Sequence, residues 1–394
     1  GGDGADRLAA LLRGFPIPQR LREVGFDRAK TDFVAQEVAA EPFGVIDSIN
    51  VNFSDKGVAI GDSVTVPVAP VATASTYTPA MTTTAGTDAT ASSVAVAIST
   101  NSMVSWNLTG EQVRSLQNGG NYEEWVRQLI GQGMRTLRNE AEANCAAVIK
   151  QAASRAVGTS GTTPFASTLD LLVDARKVLR DNGAPMADLQ FCMDTAAGAK
   201  LLKLGIIQNA YQAGSEEERR QGRFLRQFGF RIQESAGIVA HTIGTGSAYE
   251  LTANHAVGAT AITVDTGSGT ILAGDVVTFA GTTDQQYVVN SALSGGTFSI
   301  GKPGLRAAES NNDVVTVTAA YTPNLAFERN AVVAVMRPPL IPANANIQQR
   351  TISDGRGMTY LLVQVAGDGM LTWRLHLCSG FKVVQPEFVC IVKG

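Results

Sequence analysis

Residues 121–156 read NYEEWVRQLIGQGMRTLRNEAEANCAAVIKQAASRA. The apolar residues Tyr122, Trp125, Val126, Leu129, Ile130, Met134, Leu137, Ala141, Cys145, Val148, Ile149 and Ala152 recur at three- and four-residue steps. That is the period of a helix with one face against other protein. Glu123 precedes Arg127 by four residues, a favourable surface pair. At ~1.5 Å per residue the segment makes a rod of roughly 54 Å, with Gly131 and Gly133 as the points where it could bend. A helix of this length excludes an all-β chain.

Toward the N-terminus the pattern changes. GVAIGDSVTVPV (Gly57 to Val68) alternates strictly, with Val58, Ile60, Val64, Val66 and Val68 on one face, as in a strand. Ser93 to Trp106 alternates likewise through Val94, Val96 and Ile98. Between them, Ala72 to Ser92 is almost all Thr, Ala and Ser and lacks the bulk to build a core. A projecting β-hairpin fits all three pieces, and such hairpins need a neighbouring surface to be stable. Further upstream, Leu8 to Leu12 and Leu21 to Val38 read as short helical pieces broken by Gly14, Pro16 and Pro18. They form an arm with no core of its own.

Toward the C-terminus, Ser167 is a candidate N-cap for a helix with a Leu172, Ala175 and Leu179 stripe, stopped by Asn182-Gly183-Ala184-Pro185. A strand at Leu189 to Met193 and a helix opened by Asp194 or Thr195 follow. Glu216 to Arg226 (EEERRQGRFLR) mixes acids and bases, as in a solvated or subunit-contact face. From His241 to Tyr321 short strands dominate: Ala261 to Val264, Asp275 to Ala280, Gln286 to Asn290, Thr297 to Ile300 and Asp313 to Thr318. Their even spacing predicts a small barrel or sandwich inserted into another domain. Leu325 to Val335 reads as one long strand, followed by strands near Thr359 to Val365, Leu371 to Leu377 and Lys382 to Val392. The fold class is α+β.

The 394 residues carry 32 basic and 35 acidic side chains, so net charge is −3. The first fifty hold six basic and eight acidic residues, so no basic arm for neutralising nucleic acid is present there. Charged residues make up only 17% of the chain, and 40 residues are glycine. A surface so poor in charge is weakly protected from association. No apolar run approaches the ~20 residues that span a bilayer. The opening GGDGADRL lacks the basic and apolar regions of a signal peptide, which predicts a soluble protein not exported by that route. Cys145, Cys192, Cys378 and Cys390 are scattered without a CxxC pair and read as buried thiols.

The residue types that carry chemistry are scattered along the chain. His241, His255 and His376 lie in no zinc-binding spacing. His376 and Cys378 share a strand face but lack a third ligand. Neither a GxSxG elbow nor a GxxxxGK[ST] loop occurs. Gly267 and Gly269 (DTGSGT) sit between strands, where a turn is the better reading than a phosphate loop. Asp265 with Asp275 is a calcium candidate without a framing motif. No catalytic, cofactor-binding or metal-ligating residue is assigned, and no cofactor is expected.

The order arm, hairpin, long helix, α+β body, inserted β domain and return strands resembles the Hong Kong 97 fold of tailed-bacteriophage major capsid proteins. FSDKG (Phe53 to Gly57) running into GDSVTVPV (Gly61 to Val68) is similar to the E-loop of the branch related to the phage P-twenty-two coat protein. GFRIQES (Gly229 to Ser235) resembles the strand before that branch's inserted domain. LAGDVVTFAG (Leu272 to Gly281), YVV (Tyr287 to Val289) and KPGLRAA (Lys302 to Ala308) resemble its β-barrel. NLAFERNAVVAVMRPP (Asn324 to Pro339) and YLLVQVAGDGMLTWRLHLCSGFKVVQPEF (Tyr360 to Phe388) resemble the closing strands.

The resemblance implies an N-terminal arm (1–56), an E-loop hairpin (57–107), a spine helix of the peripheral domain (108–158) and an axial and peripheral α+β part (159–240). An inserted β-barrel (241–323) and peripheral strands with the axial return (324–394) complete it. It implies an icosahedral head shell built from hexamers and pentamers around double-stranded DNA, assembled in the host cytoplasm and residing in the virion. The implied partners are further copies of the chain, scaffolding and portal proteins, optionally a decoration protein, and packaged DNA held without sequence specificity; no membrane is involved. Alternatives are an encapsulin-type nanocompartment shell, a decoration or adhesin protein, which the long helix argues against, and an enzyme.

Overall fold

The structure is a computed structural model that describes residues 33–36, 38, 44–53, 61–68, 92–204, 226–341, 347–353, 357–367 and 369–394. The arm reading before residue 33, the Ala72 to Ser92 reading, Val58 with Ile60, and the charge run except Arg226 lie outside or almost outside the described residues.

Among the described residues the body is ordered by α1 (Gly110–Asn118), α2 (Tyr122–Ala152), α3 (Asp170–Asp181) and α4 (Thr195–Lys203), with a further helical stretch at 33–36. The long helix α2 runs unbroken for 31 residues through Gly131 and Gly133. It stops at Ala152, short of the expected Ala156, because Arg155–Val157 is drawn out as a strand. The preceding α1 has a weak sequence signal, with Val113 its one buried residue. Its start is a reciprocal capping box in which Thr109 Oγ1 accepts from Gln112 N–H and Gln112 Oε1 accepts from Thr109 N–H. The expected N-cap Ser167 is not used: α3 begins at Asp170 after Leu169, with no side-chain cap. Its stripe of Leu172, Ala175 and Leu179 is fully buried as expected. Asp194 caps α4 by accepting from the Ala196 and Ala197 N–H groups.

One sheet lies under α2. Its hub is the strand Met370–Val383, which pairs antiparallel with Thr100–Thr109, with Thr359–Ala366 and with Val332–Arg337. Ile347–Ser353 and Asn50–Phe53 complete six strands. Leu371, Trp373, Leu375 and Leu377 alternate inward and meet Val126, Ile130, Met134 and Leu137 of the helix in one core. Leu371 to Leu377 and the start of the expected Lys382 to Val392 strand are therefore one continuous element. Beyond it the chain leaves the sheet through a 3-10 turn at Pro386–Phe388 and resumes as a separate strand, Val389–Lys393.

The second sheet holds twelve strands in two parts. Val276–Phe279, Val314–Val317, Tyr249–Leu251, Ala261–Asp265, Thr297–Ile300 and Thr282–Ser294 pair in that order, and the last returns to the first. The ring is closed around Leu251, Ile262, Val277, Phe279, Phe298 and Ile300. Closure leaves no barrel edge to protect. The strand Thr282–Ser294 also pairs with Arg155–Val157, at Gln286 to Ala156 and Tyr287 to Arg155. From there the sheet continues through Val389–Lys393, Pro323–Glu328, Leu189–Met193, Phe230–Glu234 and Arg226–Gln227. The barrel is thus inserted in sequence and continuous with the body in hydrogen bonding.

The single strand expected from Leu325 to Val335 is two. Pro323–Glu328 belongs to the second sheet and Val332–Arg337 to the first, with a 3-10 turn at Arg329–Ala331 between them. Glu328 holds the turn by accepting from Asn330 N–H. Likewise, Ser93 to Trp106 divides into Ser92–Ala97 and Thr100–Thr109.

Candidate assembly surfaces and their anchors

The hairpin is built from Ser63–Val68 and Ser92–Ala97, in a register that sets Val64 opposite Val96 and Val66 opposite Val94. Cross-strand valines on one face are the unit that stabilises such a pair. Among its described residues, Val96 and Ile98 are buried against Val333, Val335 and Cys378 of the first sheet, with Val64 and Val66 packed partly buried beside them. Ser99 N–H donates to Ser379 O, and Lys382 Nζ to Ala95 O at 3.0 Å. Thr65, Pro67, Ser93 and Ala95 on the other face are exposed. The hairpin is therefore rooted in the body, while its stem offers one face to whatever lies beyond the chain.

A buried polar cluster fixes the segment that leads toward the hairpin. Arg138 and Glu142 sit one turn apart on the inner face of α2, at 0% and 2% exposure. Arg138 Nη2 reaches Asp47 Oδ1 at 2.8 Å. Glu142 accepts from Ile46 N–H at 2.9 Å and from the Ser235 hydroxyl. Cys192 Sγ lies 3.3 Å from Gly44 O and 3.2 Å from Ser48 Oγ. Burial pushes the Glu142 carboxyl above its ordinary range, only partly countered by Ser235, Ile46 N–H and Arg138. Paired, hydrogen-bonded charge in a core specifies one arrangement more than it adds stability. Here the arrangement joins residues 44–48, α2 and the loop after Phe230–Glu234. The stripe on α2 hid this cluster, because Arg138 and Glu142 interrupt an apolar pattern that reads as packing alone.

A second cluster closes the neck of the barrel. The chain enters at His241 and leaves at Tyr321, which pair as a bridge with rings 5.5 Å apart. His241 Nε2 lies 2.8 Å from Asp275 Oδ1. Asp275, fully buried, also accepts from the Leu272 and Gly244 N–H groups. Tyr321 donates to Gly274 O.

The remaining candidates fall apart from one another. Asp275 is committed to this neck, while Asp265 ends the strand Ala261–Asp265 opposite Glu250. His255 Nε2 faces Thr263 at 3.4 Å. Burial, with Arg374, pushes the His376 imidazole down, and burial pushes the Cys378 thiol up to about 11. Gly267 and Gly269 form a tight loop whose glycines are needed for room, since a Cβ at either would strike Tyr249 or Thr245. All four cysteines are free and buried, as expected. Among the described residues no group of three or more His, Cys, Asp or Glu side chains is arranged to hold a metal ion, and no helix is long and apolar enough to cross a membrane.

No protein-family model matches the chain, and no curated protein matches it in sequence. Among solved structures it is similar to a chain of Mycobacterium phage Che8, at 15% identity over 84% of each chain with a TM-score of 0.44. It is similar to the capsid structure of the cyanophage P-SCSP1u, at 16% identity over 88% of this chain and 86% of that one, TM-score 0.46. A virus-like particle from Pyrococcus furiosus aligns at 9% identity over 92% and 98%, TM-score 0.42.

Proposed function

We propose that this chain is a major capsid protein of the Hong Kong 97 type, working by self-assembly into the closed icosahedral shell of a tailed phage. The observation that carries the reading is the hairpin: strands Ser63–Val68 and Ser92–Ala97 are anchored on the body through Val96 and Ile98, while Thr65, Pro67, Ser93 and Ala95 leave their other face exposed. A two-stranded ribbon is marginal alone, so a neighbouring surface supplies what the chain does not. The order of elements supports the same reading, with a long helix over a sheet, an α+β body, a closed barrel inserted between Glu234 and Tyr321, and return strands. On this reading the segment divisions given by the resemblance are the arm, E-loop, spine, axial part and inserted barrel of such a subunit. Adhesion arises from many modest contacts summed over a closed lattice. Scaffolding and portal proteins assist assembly in the host cytoplasm, and the inner face meets packaged DNA without sequence specificity.

Negative-stain microscopy with light scattering tests this. Closed particles of uniform diameter are expected, and particles recovered from infected cells should carry nuclease-protected DNA. A protein that stays monomeric or trimeric at every concentration overturns the reading.

A further inference from the structure

Among the described residues the strand Thr100–Thr109 pairs on one side only, with the hub strand Met370–Val383. Gly110 N–H continues that ladder by donating to Gly369 O, which fixes its alternation. Thr100, Ser102, Val104, Trp106 and Leu108 therefore turn N–H and C=O toward the hub, while Asn101, Met103, Ser105 and Asn107 turn theirs away from it. Thr109 agrees: its N–H also points away from the hub and is taken by Gln112 Oε1.

This open edge reads TNSMVSWNLT, ten residues with no charge, proline or glycine. The other sheet edges among the described residues are interrupted, occupied or short. Ser63–Val68 carries Pro67, and Ile347–Ser353 carries Arg350. Lys382 takes Ala95 O on Ser92–Ala97. Asn50–Phe53 runs four residues, Arg226–Gln227 two, and the barrel is closed on itself. Sheets blunt their edges in these ways to prevent pairing with another chain, and Thr100–Thr109 uses none of them. Its side chains also await cover. Val104 and Trp106, on the face under α2, stay half-buried, and Met103 on the opposite face is 49% exposed.

We propose that this edge pairs antiparallel with the same edge of a second copy, about a two-fold axis through Val104. In that register Asn101 faces Asn107 of the second copy, Met103 faces its Ser105, and Val104 faces Val104. The outward N–H and C=O groups of both strands are then satisfied, with on the order of eight hydrogen bonds across the axis. No like charges meet, because the strand has none. Both strands stop at the same features, the break at Ile98–Ser99 and the capped start of α1, so the two edges match in length. The contact is isologous and closes on itself, which selects a second copy over an open-ended stack of chains. Its place in a shell rests on the assembly reading above; the pairing does not.

The test is cysteine crosslinking in the full chain, with diamide as the oxidant that accepts the two thiol hydrogens. The native cysteines are all buried. Val104→Cys sets two thiols across the axis in a non-hydrogen-bonded pair, with Cα atoms ~4.5 Å apart and within disulfide reach. Covalent dimer should form in concentrated subunit and in particles, read on non-reducing gels and by intact mass. Asn107→Cys, displaced along the strand, should give roughly tenfold less. Ser105→Lys, an exposed change that puts like charges on both sides of the axis, should weaken dimerisation in sedimentation about tenfold. No covalent dimer from Val104→Cys, or an equal yield from Asn107→Cys, overturns the pairing. If Val104→Cys does not fold, undiminished association of Ser105→Lys overturns it. Particles that form without the Val104→Cys crosslink remove the edge and leave the assembly reading intact. Covalent dimer in a chain that never forms particles removes that reading and leaves the edge.

Discussion

The indole of Trp106 fills the space that a side chain at Gly133 would need: a Cβ there would stand 2.5 Å from the ring's Cη2. Helix α2 can lie this close to the strand Thr100–Thr109 only because the position is glycine. Gly131, half a turn earlier, has its nearest neighbour at 3.6 Å, the Val34 side chain.

These two glycines should respond in opposite directions. Gly133→Ala overpacks the helix–sheet contact and should destabilise the subunit by about 1–3 kcal/mol. Gly131→Ala meets ordinary van der Waals distance and gains helix propensity, so it should stabilise by about 0.5–1 kcal/mol. Urea unfolding of the dissociated subunit checks both, and the same sign for the two variants would contradict the packing described.

Removing residues 72–91 leaves the paired strands Ser63–Val68 and Ser92–Ala97 in place with Val96 and Ile98 still rooted. The shortened chain should keep its thermal midpoint within a few degrees and fail to form closed particles. Normal particles by microscopy would remove the hairpin from the assembly surface.

The base of the hairpin should be sensitive to truncation. Ile98, 1% exposed beside Val333, Val335 and Cys378, should cost about 2–5 kcal/mol as Ile98→Ala. Amide exchange in residues 92–99 should speed up before exchange in α2. Uniform loss of protection would show that the hairpin base is not a separate unit.

Glu142 should give the subunit a pH slope. Its folded-state carboxyl lies above the ordinary 4.5, chiefly through burial. The folded state therefore holds the proton more tightly than the unfolded one. That contribution is fully present below pH 4.5 and is lost as the pH rises through the folded-state value. Glu142→Gln keeps an acceptor for Ile46 N–H and removes this slope. Denaturation profiles measured from pH 4 to pH 8 should show the variant gaining on the wild type as pH increases.

Lys393 is 3% exposed in the strand Val389–Lys393, and burial brings its ammonium down from 10.5 to about 8. Here the folded state sheds a proton that the unfolded state keeps, so the penalty is full below pH 8 and fades toward pH 10.5. Lys393→Met should therefore stabilise the subunit by about 1–3 kcal/mol at pH 7. The gain should shrink as calorimetry is repeated above pH 8.

How much of this was legible in the chain depended on whether one face or two were buried. Along α2, and along the barrel strands Ala261–Asp265 and Thr297–Ile300, one side meets a core and the other does not, so local periodicity reported the element. The strands Pro323–Glu328 and Val332–Arg337 are buried on both faces almost throughout. With no alternation, nothing marked the turn at Arg329–Ala331 where the chain leaves one sheet for the other. The cap at Thr109 is written as T-x-x-Q, but α1 carries only one buried apolar residue, Val113, so no apolar stripe marks the helix behind it.

By itself, then, the sequence determined the α+β class, the long helix, the hairpin strands and the existence of an inserted β unit, because each is written in the local periodicity of apolar residues along one element. Tertiary structure alone decided what depends on residues far apart: Arg138 with Asp47, Glu142 with Ser235, His241 with Asp275, and the pairing of Tyr287 with Arg155 that joins barrel to body. No local pattern encodes such pairs. Each polar group finds its partner only after burial has removed water as the alternative, and that is set by the packing of the whole chain.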